Sequence, residues 1–223
     1  MMKFSNTLFS IIIILFFTTT TSFSLNTRRL PITKKEYRKA KGSFFLVVVK
    51  RRFKLFVIHK RTKRIIRSFS IGLGLKAGRK TISGDKKTPE GVYYIHRILS
   101  KAAPKDTYAY KHLKKLNNIY WKAKKGFYRY GKPWKDLGKN AYGPRFYRLD
   151  YPTKKDWRRF KRLKKLKRIP KKAKIGYGIA IHGTNDPPSV GHRASSGCVR
   201  MYNSDVLKLE KYVRLGTLVL IIK

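Results

Sequence analysis

From residue 43 onward, apolar residues come in short runs separated by polar turns. Residues 43–49 (Ser-Phe-Phe-Leu-Val-Val-Val) and 54–58 (Lys-Leu-Phe-Val-Ile) are rich in β-branched and aromatic side chains and predict two strands, with residues 50–53 as the turn between them. Residues 65–71 alternate enough to predict a third. Val92 to Ile95 predict another strand, fed by the turn-rich Gly84-Asp85 and Thr88-Pro89-Glu90-Gly91. Residues 140–152 read as a strand between two proline-marked turns. This strand-turn-strand spacing points to an antiparallel sheet rather than alternating strand–helix units. The period changes twice. Trp157, Phe160, Leu163 and Leu166 recur at helical spacing inside a Lys/Arg run over 153–174, predicting a basic helix with one apolar stripe. Val206, Leu207, Leu209, Tyr212 and Val213 predict a second helix, capped by Ser204 and ended by Gly216, before a last apolar strand at 217–222. The fold class is therefore mainly β with a few helices.

The first residues follow another rule. Lys3 precedes the apolar run Ile11-Ile12-Ile13-Ile14-Leu15-Phe16-Phe17, and small residues follow to Ser24. A charged start, a short apolar stretch and small residues predict a secretory signal over 1–24, with an uncleaved membrane anchor as the rival reading. Residues 25–41 are basic and polar, a linker or short helix ahead of one domain at 42–223.

Charge then narrows the partners. The chain carries 56 Lys and Arg against 10 Asp and Glu, a net charge of +46. Such a surface attracts polyanions: nucleic acid, acidic lipid or anionic cell-wall polymers. Export favours a periplasmic or cell-envelope location and the envelope polymers. A basic, aromatic insertion at about 100–140 sets Tyr120, Trp121, Phe127, Tyr130 and Trp134 among lysines. It is either a binding groove for bases, sugars or peptides, or a solvated insertion with some rings in the core. Gly72-Leu73-Gly74 lacks the spacing of a dinucleotide fingerprint and reads as a glycine-rich turn. Asp85 and Glu90 read either as catalytic acids or as loop-ordering acids, and their turn context favours the second. No CxxC or HExxH pattern is present, so neither metal nor cofactor is expected.

Cys198 is the single cysteine. In an exported chain it has no internal disulfide partner, which leaves it reactive, buried and inert, or bonded to another molecule. His182 ends a short apolar run sixteen positions earlier, and the loop between them is rich in Pro, Gly and Ser. A thiol is nucleophilic as thiolate, and an imidazole can take its proton.

With His182-Gly183, the loop, and Ser195-Ser196-Gly197-Cys198-Val199-Arg200, the chain resembles the L,D-transpeptidase catalytic domain of the YkuD family. Gly84-Asp85, Thr88 to Gly91, Tyr142-Gly143-Pro144 and Leu149 to Pro152 extend the resemblance over roughly 42–223. The resemblance implies a β-sandwich with the Cys loop at one edge and no metal. It implies peptidoglycan stem peptides as substrate and a thioester acyl-enzyme, with D-alanine leaving. Cys198 is then the nucleophile, His182 the base and Gly183 the carbonyl that orients it. Backbone N–H groups at Ser196, Gly197 and Cys198 form the oxyanion hole. Ser195, Arg200, His192 and Tyr142 are the expected substrate contacts, Arg200 serving either a stem-peptide carboxylate or a structural ion pair. Where the family often has His before Gly-Cys, this chain has Ser196, and loop residue His192 either compensates or faces solvent. A hydrolytic or wall-protein-linking relative, and a cationic binding protein with a vestigial site, remain alternatives.

Overall fold

The computed structural model describes residues 30–223, so the expected signal segment lies outside the described residues. In chain order the elements are α1 (Lys34–Lys39), β1 (Phe44–Val49), β2 (Lys54–His59), β3 (Arg64–Ser70), β4 (Leu73–Gly74), β5 (Gly91–Ser100) and α2 (Tyr108–Asn118). Then come β6 (Tyr128–Arg129), β7 (Lys132–Asp136), β8 (Arg145–Leu149), α3 (Lys154–Lys165), β9 (Ala180–His182) and β10 (Arg193–Ser195). β11 (Val199–Arg200), α4 (Asn203–Leu209) and β12 (Leu218–Ile222) complete the chain.

An eight-stranded sheet runs in the order β11-β9-β8-β5-β12-β1-β2-β3. It is mixed, which corrects the antiparallel expectation: β12 is parallel to β1 and β11 is parallel to β9. The reason is legible in β12. Leu-Val-Leu-Ile-Ile is apolar at every position, and it lies between β1 and β5 with both faces covered. Side chains from all eight strands meet in one core, among them Leu46, Leu55, Phe69, Tyr93, Tyr147, Ile181, Val199 and Val219. A sheet whose every strand touches the same core must curl around it, so the sandwich-like enclosure is made by one sheet. The opposite face of β1, β2 and β12 is covered by the segment expected as a linker. There Leu30 and Ala40 are buried, and Tyr37 meets Phe45 edge-on at 5.3 Å.

Three local expectations change. Gly72 to Gly74 is not merely a turn: Leu73 and Gly74 pair in parallel with Arg193 and Ser195, tying this segment to the Cys198 loop. α4 begins at Asn203 with Tyr202 in the cap position and no side-chain cap bond, so Ser204 lies inside the helix. In α3, Thr153 and Asp156 form a capping box. Of its apolar stripe Phe160 is buried, while Leu166 is 54% exposed beyond the last helical turn.

The insertion supplies the roof of the site. α2 buries Leu113 against Leu99, Phe146 and Ala180. Its Asn117 side chain donates to the Gly143 carbonyl at 2.9 Å and accepts the Tyr142 N–H at 3.0 Å. The β6–β7 hairpin is fastened to the loop after β9. Tyr130 N–H donates to Asp186, Arg129 donates to the Asn185 carbonyl, and the Asn185 amide donates to the Leu137 and Lys139 carbonyls.

Candidate active site

Cys198 immediately precedes the edge strand β11, and His182 ends its neighbour β9. The parallel register pairs Val199 with Ile181 and Arg200 with His182. Side chains alternate along a strand, so Cys198 and Arg200 fall on the same face, beside that of His182. All three line one small cavity of about 60 Å³, with Tyr142, Ser195, Ser196, Trp121, Phe127, Leu137 and Ala141 as its other walls. That volume is well below the roughly 300–1,000 Å³ of a cleft that swallows a whole ligand. It admits a reacting carbonyl and its nearest atoms, not a complete peptide.

His182 is held on every side. Nδ1 lies 2.5 Å from the Gly183 carbonyl oxygen. A carbonyl only accepts, so Nδ1 carries the hydrogen and Nε2 keeps its lone pair. Phe146 stacks on the ring at 5.8 Å, and Tyr142 meets it edge-on at 5.0 Å. Gly183 is required where it stands: an added Cβ would lie 2.3 Å from Asn203 Oδ1, the oxygen that accepts the Thr184 N–H at 2.9 Å. Burial, with Arg200 adding to it and the Gly183 bond opposing it, lowers the His182 pKa to about 3.

Cys198 is partly buried, with its Sγ 3.5 Å from the Gly178 carbonyl. Burial pushes its thiol pKa up, while the Ala180 backbone and the charges of Arg200 and Lys80 pull it partly back. Both shifts favour the uncharged forms, a thiol and an imidazole lining the same cavity.

The expected oxyanion donors separate. Ser195 Oγ accepts the Gly197 N–H at 3.0 Å and donates to the Cys198 carbonyl at 2.6 Å. Gly197 N–H is thus engaged within the loop, and the Ser195 hydroxyl spends its bonds on shaping that loop. Gly197 has φ +132°, and a Cβ there would lie 2.8 Å from the Lys87 carbonyl. Only glycine lets the Cys198 loop pack on the 75–90 segment. That segment is itself held by Asp85, which accepts from Thr81, Ile82, Lys87 and Lys80, and by Glu90, which pairs with Lys50 at 2.7 Å. Both acids order the loop, as their turn context suggested.

Arg200 is 7% exposed, its Nη1 forms an ion pair with Asp186 Oδ2 at 3.6 Å, beyond hydrogen-bond distance, and its Nε has no hydrogen-bond partner. The Asp186 contact fits the structural reading of this residue, and Nε is the donor it leaves unpartnered. His192 does not join the cluster. It is exposed and stacks on Tyr130 at 4.3 Å, outside the cavity wall. The sequence reading missed Phe146, Asn203 and Asp186 as supports of the site. It saw Trp121 and Phe127 without a position for them. Nothing in their local pattern marks them, because sheet register and the fold-back of the insertion bring them in.

The profile of the YkuD family, described as L,D-transpeptidase catalytic domain, matches residues 43–221. Among curated relatives, the putative L,D-transpeptidase YkuD of Bacillus subtilis (strain 168) is 51% identical over 49 residues, which is 22% of this chain and 29% of that protein. The putative L,D-transpeptidase YqjB of the same organism is 51% identical over 45 residues, 20% of this chain and 24% of that protein. The chain thus spans under a third of the length of these relatives. Among solved structures, the helical cell shape determining protein Pgp2 from Campylobacter jejuni superposes with a TM-score of 0.52 at 20% identity, covering 81% of this chain and 48% of that one. The match to the family profile runs from β1 to β12 and includes the whole cavity, and the chain belongs to the YkuD family of L,D-transpeptidase catalytic domains.

Proposed function

We propose that the chain is an envelope acyltransferase that cross-links or remodels peptidoglycan stem peptides through a thioester on Cys198. The observation that carries this reading is that Cys198, His182 and Arg200 share one small cavity, with the His182 tautomer fixed by its own following carbonyl.

Nε2 of His182 takes the Sγ proton as sulfur attacks the carbonyl that precedes the terminal D-amino acid of the donor stem. Because both groups rest neutral, proton transfer accompanies attack rather than preceding it. The guanidinium of Arg200 steadies the developing thiolate, and its unpartnered Nε donates to a carboxylate of the stem. The backbone N–H groups of Ser196 and Cys198 hold the oxyanion, with Gly197 keeping the loop in shape. The tetrahedral intermediate collapses, the C–N bond breaks, and the departing amine takes the proton from His182. An acceptor amine then gives its proton to the same nitrogen and attacks the thioester, and sulfur leaves with the proton returned.

The expected export puts this chemistry at the cell wall. Incubation with a tetrapeptide-stem muropeptide, followed by separation of products, tests the reading. Cross-linked dimers with released D-amino acid support transfer. Trimmed monomers alone would make water the acceptor and overturn the transferase assignment.

A further inference from the structure

The strongest feature outside the catalytic cavity is on α3. Lys155, Arg158, Arg159 and Arg162 stand at i, i+3, i+4 and i+7, a spacing that puts four side chains on one helix face. That stripe is ordinarily apolar and turned to the core. Here Asp156 and Phe160 face inward instead. The cationic stripe, with Arg79 from the segment before β5, lines a concavity of about 280 Å³ whose every lining residue is a cation. Like charges at these spacings repel, so the fold holds this stripe together against a cost.

Asp156 pairs with Arg79, but among the described residues no carboxylate pairs with the four α3 cations. Asp156, the acid beside the concavity, is buried, and its oxygens are occupied by Arg79 at 3.4 Å, the Tyr93 hydroxyl at 3.3 Å, and the Thr153 N–H and hydroxyl at 3.0 and 2.8 Å. Among the described residues, neither Lys155 nor any of the three α3 arginines is in an ion pair. The Nε atoms of Arg79 and Arg159 are buried without a hydrogen-bond partner. A second concavity, of about 680 Å³, shares Arg79, Lys155 and Arg158 and adds Lys39, Lys154 and Lys223, together with the carboxylates Glu36, Glu90 and Asp150. The two form a trough with its uncompensated cations along α3.

We propose that this trough binds a phosphodiester chain of the cell envelope and holds the protein on that polymer. Guanidinium forks match phosphate oxygens, and three of them on adjoining turns, with the Lys155 ammonium beside them, match a repeating anion better than a single ion. Docking on a bilayer calls for apolar side chains among the cations, and single-stranded nucleic acid calls for rings on which bases stack. The concavity along α3 is lined by neither; the larger one adds Val92, Tyr94, Leu220, Ile221 and Ile222, which stand on β5 and β12 rather than among the α3 cations. The site lies apart from the Cys198 cavity and shares no lining residue with it. It draws on the envelope location proposed above, but binding is read without turnover, so failure of the acyl-enzyme mechanism would leave it standing.

The test is binding of the intact protein to poly(glycerol phosphate) of defined length across a salt series. The double variant Arg158→Gln/Arg162→Gln removes two exposed cations from the trough. It weakens binding on the order of ten-fold and lowers the log–log salt slope by about 1.4, roughly 0.7 per lost contact as for single strands. Arg51→Gln/Arg52→Gln removes the same charge from the exposed turn between β1 and β2 and leaves affinity within about two-fold. Equal weakening by both pairs would mean diffuse attraction to the net charge and would overturn the proposal. Unchanged binding in the α3 variant would overturn it too. So would a loss confined to phosphatidylglycerol vesicles or to single-stranded DNA, which would assign the trough to another partner.

Discussion

The Nδ1 hydrogen of His182 is donated to the carbonyl of Gly183, the next residue in the chain, at 2.5 Å. The orienting group is therefore main chain, and Gly183 cannot be replaced without driving a side chain into Asn203. This bond leaves Nε2 to serve as the base. His182→Gln keeps a polar side chain of similar reach but cannot accept and return a proton. Acylation of Cys198 by a tetrapeptide-stem muropeptide should slow by about 10²–10⁴-fold, the usual worth of general base catalysis. Single-turnover rates from quenched mass spectra check this. A loss under about two-fold would remove His182 from the mechanism.

The resting pair is neutral, and this has a signature in pH. Burial raises the Cys198 thiol and lowers His182 to about 3, so no thiolate–imidazolium pair is stored at neutral pH. Alkylation of the free enzyme by iodoacetamide should rise with pH through the weakly alkaline range and beyond the ordinary thiol pKa. A rate plateau already complete near neutrality would show a stored ion pair instead.

Stability should also depend on His182. Its pKa of about 3 in the folded chain lies below the ordinary 6.5 of an exposed imidazole. Above pH 6.5 both states hold the ring neutral and the group contributes no pH dependence. As pH falls towards 3, the unfolded chain takes the proton and the folded chain does not, so stability is lost. The urea midpoint should fall across this window and fall less steeply in His182→Gln. That comparison isolates His182 from His96 and His112, which burial also lowers. Parallel curves for the two proteins would contradict the buried neutral ring.

Gly197 offers a backbone test. With φ at +132° and the Lys87 carbonyl 2.8 Å from where a Cβ would stand, Gly197→Ala forces the Cys198 loop off the 75–90 segment. The strain is worth about 1–3 kcal/mol. Thermal unfolding should show this loss, and acylation should drop by more than the fraction unfolded explains. Wild-type acylation in a stably folded variant would show that the loop geometry is dispensable.

Much of this was legible beforehand because it is local. β1, β2, β3 and β12 are apolar or alternating runs, and the Cys198 and His182 chemistry sits within one stretch of chain. What was not legible is register and fold-back. Parallel pairing of β11 with β9 decides that Arg200 stands beside His182, and no local pattern encodes which strand is the neighbour. The engagement of Gly197 N–H by Ser195 Oγ depends on one loop conformation. Trp121 and Phe127 were visible as rings among lysines, but their place in the cavity wall follows from the Asn185 and Asp186 contacts that fold the insertion over the site. His192, close to Cys198 in sequence, is turned outward onto Tyr130 by the same hairpin.

Everything in the proposed mechanism passes through a covalent bond to one sulfur. Intact mass spectrometry of the protein mixed with a tetrapeptide-stem muropeptide, without acceptor, reads that bond directly. The account predicts an added mass equal to the donor less its terminal D-amino acid, mapped to Cys198 and absent in Cys198→Ala. Turnover of the same donor by Cys198→Ala at the wild-type rate, or a wild-type protein that releases product with no adduct at any time point, would contradict it.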